Sequence, residues 1–179
     1  MKETTIMNAW PSIAATNLGR QLGRLFRMGP RISVLTVPTR PGWFIALATT
    51  PITAFLYFNK IVPRTPLVLF GAQNPWCRRY RLTNKQVIIE HPFDALSTKR
   101  ADQATFAKIG LTEFDTAELE EQSGYEWYRA SDIVFRREGK EVLRLPAVPH
   151  AEAFRQTCLK ARQAVIGVAE ANKPAAAAS

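Results

Sequence analysis

The stretch RRYRLTNKQVIIEHPF, Arg78–Phe93, is where a long apolar run gives way to strict alternation. Tyr80 and Leu82, then Val87 and Ile89, fall on alternate positions, the period of a strand with one buried face. Asn84-Lys85 separates the two runs with turn chemistry, and His91-Pro92 ends the second. This predicts a β-hairpin whose register is set by those four apolar side chains. A slip of one residue would turn all of them to the opposite face.

The same alternation continues downstream. KIGLTEF, with Ile109 and Leu111, reads as a strand after a loop or helical turn over residues 94–107. TAELEEQSG extends that strand or loops out, and the aromatic GYEWYRA reads as another strand. The clearest hairpin is DIVFRREGKEVLRL, with Glu138-Gly139 at its turn. Pro146 and Pro149 are expected to close the sheet. Beyond them Phe154, Cys158, Ala161, Val165 and Ala169 step by three and four, which predicts a helix with one apolar face.

Upstream the pattern is different. In NAWPSIAATNLGRQLGRLFRMG, apolar residues recur at Trp10, Ile13, Ala14, Leu18, Leu22, Leu25 and Phe26. Arg20, Arg24 and Arg27 form a neighbouring stripe, and Gly29-Pro30 ends the run. A helix of this kind, basic on one side and apolar on another, can lie in a membrane interface, with Trp10, Leu18, Arg20, Leu22, Arg24, Phe26 and Arg27 as the expected lipid contacts, or pack on its own domain. Gly19 and Gly23 lower helix propensity by roughly 1 kcal/mol each, so packing or lipid must supply the stability.

Next comes GWFIALATTPITAFLYF, Gly42–Phe58, which carries no charge. A straight helix of this length spans about 26 Å, slightly under a hydrocarbon core of about 30 Å. Trp43, Phe44, Phe55, Tyr57 and Phe58 are candidate lipid contacts, with Trp43 and Tyr57 at aromatic-belt positions. Pro51, near the middle, kinks such a helix or marks the apex of a re-entrant hairpin. A further apolar patch, IVPRTPLVLF, is broken by prolines. Arg24, Arg27, Arg31 and Arg40 precede the segment and Lys60, Arg64, Arg78 and Arg79 follow it, so flanking charge does not choose an orientation.

The net charge of +9 is unevenly distributed. Residues 1–40 hold six bases and one acid, and residues 41–100 eight bases and two acids. Residues 101–130 reverse the balance, with two bases and seven acids. Basic blocks flanking an apolar segment point to anionic lipid headgroups before nucleic acid. Arg78, Arg79, Arg81 and Lys85 cluster beside Trp76 and Tyr80 as a candidate headgroup site. The acidic block Glu113–Glu126 is a solvated loop or a surface for a membrane or cytoplasmic protein partner.

Catalytic chemistry has little footing. His91 and His150 each adjoin a proline at an element boundary, and no phosphate loop, zinc spacing or metal site is evident. Cys77 and Cys158 are expected as reduced thiols, Cys77 with its pKa lowered by Arg78 and Arg79. No cofactor is expected, and no enzyme.

The order of elements and the run Tyr80-Arg81-Leu82-Thr83-Asn84-Lys85, followed by Val87, Ile88 and Ile89, resembles bacterial pleckstrin-homology-like (PH-like) domain proteins. Ser131-Asp132-Ile133-Val134-Phe135 resembles a later strand of that family, with serine in place of its usual glycine. The likeness covers about half the chain, and the N-terminal arrangement of amphipathic helix and apolar segment looks like a small membrane-anchored subset of planctomycete type. It implies a mainly β fold with α: a split antiparallel β-barrel capped by a C-terminal helix. The division expected is an amphipathic basic region over 1–40, an apolar membrane segment and linker over 41–76, a PH-like domain over 77–170 and a disordered tail over 171–179. The resemblance implies no reaction, and the phosphoinositide binding of eukaryotic relatives is not carried over. The expectation is a binding or scaffold protein at a bacterial inner membrane, its PH-like domain cytoplasmic. The alternatives are a subunit whose apolar segment is buried against other chains, or a basic nucleic-acid-binding protein.

Overall fold

A computed structural model of the chain describes residues 3–29, 32–34, 37–61, 77–91 and 105–177. The expected hairpin is formed by β4 (Arg79–Thr83) and β5 (Gln86–Glu90), with Tyr80 opposite Ile89 and Leu82 opposite Val87. All four side chains are buried. The Thr83 hydroxyl closes the turn, donating to the Gln86 carbonyl at 2.9 Å and accepting from its N–H at 3.0 Å. The second hairpin joins β8 (Ala130–Arg137) and β9 (Lys140–Pro149), with Glu138 and Gly139 at φ 51° and 77°. Those left-handed angles suit the two-residue turn that matches strand twist.

Two antiparallel sheets result. One has the order β1-β4-β5-β6, with β1 at Thr5–Ala9 and β6 at Thr105–Gly110; the other is β7-β8-β9, with β7 at Thr116–Glu120. Tyr80, Leu82, Val87, Ile89 and Ile109 from the first share one core with Ala117, Ile133, Phe135, Leu143 and Leu145 from the second. The buried Tyr80 hydroxyl donates across to the Pro146 carbonyl on β9 at 2.8 Å, tying the sheets together. Helix α4 (Ala151–Ala177) covers the core with Phe154 and Cys158, while Ala161 and Val165 pack at its edge. Among the described residues the sheets do not close into a barrel.

Several expectations change. β1 is a strand where none was foreseen. It pairs with β4 through Asn8↔Arg81 and Ala9↔Tyr80, so main-chain bonding crosses the expected boundary between residues 1–40 and the domain at 77–170. The helix expected from Trp10 begins only at Asn17, after a 3₁₀ turn at Ile13–Ala15: α1 is Asn17–Phe26. A small hairpin of β2 (Ile32–Val34) and β3 (Val37–Thr39) follows it. GYEWYRA is no strand, because Gly124 (φ 99°) and Arg129 (φ 49°) enclose a 3₁₀ turn at Glu126–Tyr128. β9 runs through both Pro146 and Pro149, and α4 continues into the expected tail. IVPRTPLVLF beyond Ile61, and residues 94–104 of the expected loop, lie outside the described residues.

The apolar segment is divided between α2 (Pro41–Ala48) and α3 (Thr50–Ile61), bent by 58°. No single helix among the described residues is long and apolar enough to cross a membrane, so a straight span over 42–58 is not formed. Pro51 accounts for the break, having no N–H to donate back to Leu47.

Backbone contact sets the position of α1. A Cβ added at Gly23 would lie 2.1 Å from the Gly124 carbonyl oxygen, and one added at Gly42 would lie 2.1 Å from that of Phe26. Gly23→Ala is therefore expected to force α1 off its seat. Overpacking of this kind costs about 1–3 kcal/mol. Urea unfolding monitored through Trp127 should show the loss, and an unchanged midpoint would refute the close contact.

Candidate membrane interface

α1 presents one face to the protein and one to its surroundings. Thr16 caps it, its hydroxyl accepting from the Gly19 N–H at 3.1 Å. Leu22 and Phe26 are 6% and 2% exposed, and Phe26 meets the Trp127 ring edge-on at 5.4 Å. These two expected lipid contacts are thus interior residues. Leu18, on the other face, is exposed, as are Leu25 and Met28, which helical spacing alone did not single out as contacts.

The arginine stripe also points inward, toward the turn at residues 122–126. Arg20 donates to Gln122 Oε1 at 2.6 Å and to Asn17; Arg24 Nε donates to the Ser123 carbonyl at 3.2 Å; Arg27 pairs with Glu126 at 2.5 Å. The Glu126 carboxyl is held below its ordinary range by its own backbone amide, by the Gly124 amide and by Arg27. Behind this turn Gln122 donates to the buried Asp132 at 2.7 Å. Asp132 also accepts from the Ala147 N–H at 2.8 Å and from Arg144 at 3.1 Å. Arg144 reaches Glu120 and Glu141, and Arg136 reaches Glu118 and Glu120. Much of the acidic block is therefore paired within the fold.

The headgroup cluster expected at Arg78, Arg79, Arg81 and Lys85 is dispersed. Arg79 and Arg81 both clamp Glu90, a carboxylate only 2% exposed, Arg81 at 3.0 Å. Arg78 lies over the Phe106 ring at 4.9 Å. Lys85 is exposed at the turn, the other end of β4 from Arg78. Alternation hides this pairing, because the partner of each arginine lies on the next strand.

Outside that core, α2 and α3 expose a series of large apolar side chains. Phe44 and Leu47 are 68% and 75% exposed; Trp43, Ile52, Phe55, Tyr57 and Phe58 are exposed as well. Trp10 is half-buried beside them, where the chain passes from β1 to the 3₁₀ turn. The bend between α2 and α3 is sealed from within. Thr49 Oγ1 donates to the Ile45 carbonyl at 2.8 Å, and Thr50 Oγ1 to that of Ala46 at 3.1 Å. Carbonyls of the last turn of α2 thus carry side-chain partners beside the break, and the Leu47 carbonyl that Pro51 cannot reach accepts from the Thr49 N–H, the kind of local satisfaction a break in lipid requires. Trp43 also packs on Trp127 at 6.5 Å, linking the surface to the sheet domain.

Neither cysteine is activated. Burial pushes the Cys77 thiol up to about 11, outweighing Arg79, and the Cys158 thiol up to about 12. His91 is buried at the end of β5 and His150 is exposed where β9 meets α4. No group of three His, Cys, Asp or Glu that could hold a metal ion occurs among the described residues.

No protein-family model, curated protein or solved structure matches this chain. The structure defines a mixed α/β protein: two antiparallel sheets, a C-terminal helix, and an apolar bent helix pair set outside the core.

Two measurements check this account. Both thiols should resist a water-soluble disulfide reagent at pH 8 until the chain unfolds. Because their folded pKa values are raised, stability should be full below pH 9 and decline as pH rises toward 11. Rapid native labelling would contradict their burial. The lowered Glu126 carboxyl works in the opposite sense. Its contribution should be present above about pH 4.5 and lost as pH falls below, seen as a change in Trp127 fluorescence that Glu126→Gln makes permanent.

Proposed function

We propose that this chain is a non-enzymatic membrane-anchored protein. Its apolar helix pair holds a PH-like domain at an inner membrane surface, where the domain serves as a binding or scaffold module. The observation that carries the reading is the row of outward-facing apolar side chains on α2 and α3, from Trp43 to Phe58, with threonine hydroxyls on the carbonyls beside the bend. Soluble monomers rarely expose contiguous apolar patches beyond a few hundred Å². Helices of eight and twelve residues reach about 12 and 18 Å, too short to span singly but suited to a bent insertion.

Two further features support it. Arg20, Arg24 and Arg40 donate to neutral acceptors, with no carboxylate among those partners. Near an anionic leaflet each contributes about 1 kcal/mol. Two antiparallel sheets with one terminal helix over their common core support the PH-like reading. In this reading α1 to α3 form an excursion between β1 and β4.

Flotation of the full chain with anionic liposomes tests the proposal. The wild type should float and resist alkaline carbonate, while Leu47→Glu combined with Phe55→Glu should remain at the bottom with an unchanged circular dichroism spectrum. Release of the wild type by carbonate, or flotation of the double variant, would refute membrane insertion and favour a surface buried against other chains.

A further inference from the structure

Two cavities open on the sheet domain, the first of them where α3 meets it. The first, about 750 Å³, is walled by Ala9, Trp10, Ile13 and Tyr128 from the domain and by Tyr57 from α3. The second, about 700 Å³, is lined by Glu121, Arg129, Ser131 and Gln156 at the start of α4. His150 borders both. Each is of the size that holds a small molecule. Their linings differ, mostly apolar and aromatic in the first, mixed and more polar in the second, where charged groups sit among Leu119, Ala130, Ala151 and Ala153. The apolar cavity is the one that opens beside the exposed helix pair, since Tyr57 belongs to both.

Charge in the polar cavity narrows the ligand. Glu152 is occupied by Arg155 and Gln156, and Glu126 by Arg27 and the Gly124 amide. Glu121 and Arg129 have no ion-pair partner among the described residues. Arg129 and His150 hold left-handed backbone angles, φ 49° and 50°. These angles close the turns that lead Arg129 into β8 and His150 into α4. One unpaired guanidinium and one unpaired carboxylate complement a zwitterion.

We propose that the two cavities form one site for a single phospholipid with a primary-amine headgroup. Its acyl portion lies along Trp10 and Tyr57, its phosphate meets Arg129, and its ammonium meets Glu121. A primary ammonium donates hydrogen bonds to a carboxylate, whereas a trimethylated choline has no N–H to donate, and a glycerol headgroup leaves Glu121 unmatched. The lipid source rests on the membrane reading above.

The test uses the full chain and short-chain dihexanoyl phospholipids below their micellar concentration, with binding followed by calorimetry. The phosphatidylethanolamine should bind one per chain, at least about tenfold more tightly than the choline or glycerol lipid or free phosphoethanolamine. Glu121→Gln and Arg129→Gln should each remove about tenfold or more of that affinity, as expected for a charged hydrogen bond, while both variants still float with liposomes. Absence of binding, equal affinity for the three headgroups, or equal affinity for free phosphoethanolamine would overturn the site. A chain that floats but binds no ethanolamine lipid loses this inference alone. A chain that binds the lipid but does not float loses the membrane reading alone.

Discussion

The contact on which the arrangement depends is the approach of two backbones, at Gly23 on α1 and Gly124 in the turn after β7. No side chain fits between them. Because α1 is held there, its C-terminal end presents the Phe26 carbonyl to Gly42, and α2 must start against it. The apolar pair α2–α3 is thereby positioned by main-chain geometry, while its large side chains remain free to face outward. Trp127, between Phe26 and Trp43, fills the remaining angle with two edge-on ring contacts.

Charge is organised by the same constraint. A basic block near the N-terminus and an acidic block over residues 101–130 suggest, on paper, two surfaces seeking external partners. In the fold they are brought together: Arg20 and Arg27 meet Gln122 and Glu126, and Arg136 and Arg144 neutralise the acids of β7. The buried carboxylates Asp132 and Glu90 each depend on arginines from β-strands, since an uncompensated buried charge costs several kcal/mol. Among the described residues, Arg20, Arg24 and Arg40 meet only neutral acceptors, and Glu121 and Arg129 form no ion pair.

How much was legible follows from the range of the interactions. Tyr80, Leu82, Val87 and Ile89 announced their hairpin because pairing between adjacent strands leaves a local period. Glu138-Gly139 announced a turn because few dipeptides adopt two left-handed angles. β1 stayed hidden, being five residues whose partner lies more than seventy positions away. GYEWYRA has the composition of a strand, but its backbone closes on itself and receives α1, a tertiary fact without a local signature. Leu22 and Leu25 look alike on a helical wheel, yet one is buried and the other exposed, and only the docked turn distinguishes them.

The sequence by itself determined the two hairpins, the terminal helix and an uncharged apolar stretch interrupted at Pro51, because each rests on periodicity or on the conformational limits of single residues. Tertiary structure alone decided which face of α1 is interior, which arginines are neutralised and where the apolar pair is hung. Those outcomes depend on contacts between residues about a hundred positions apart. No local pattern encodes a distance of that kind until the backbones at Gly23 and Gly124 have met.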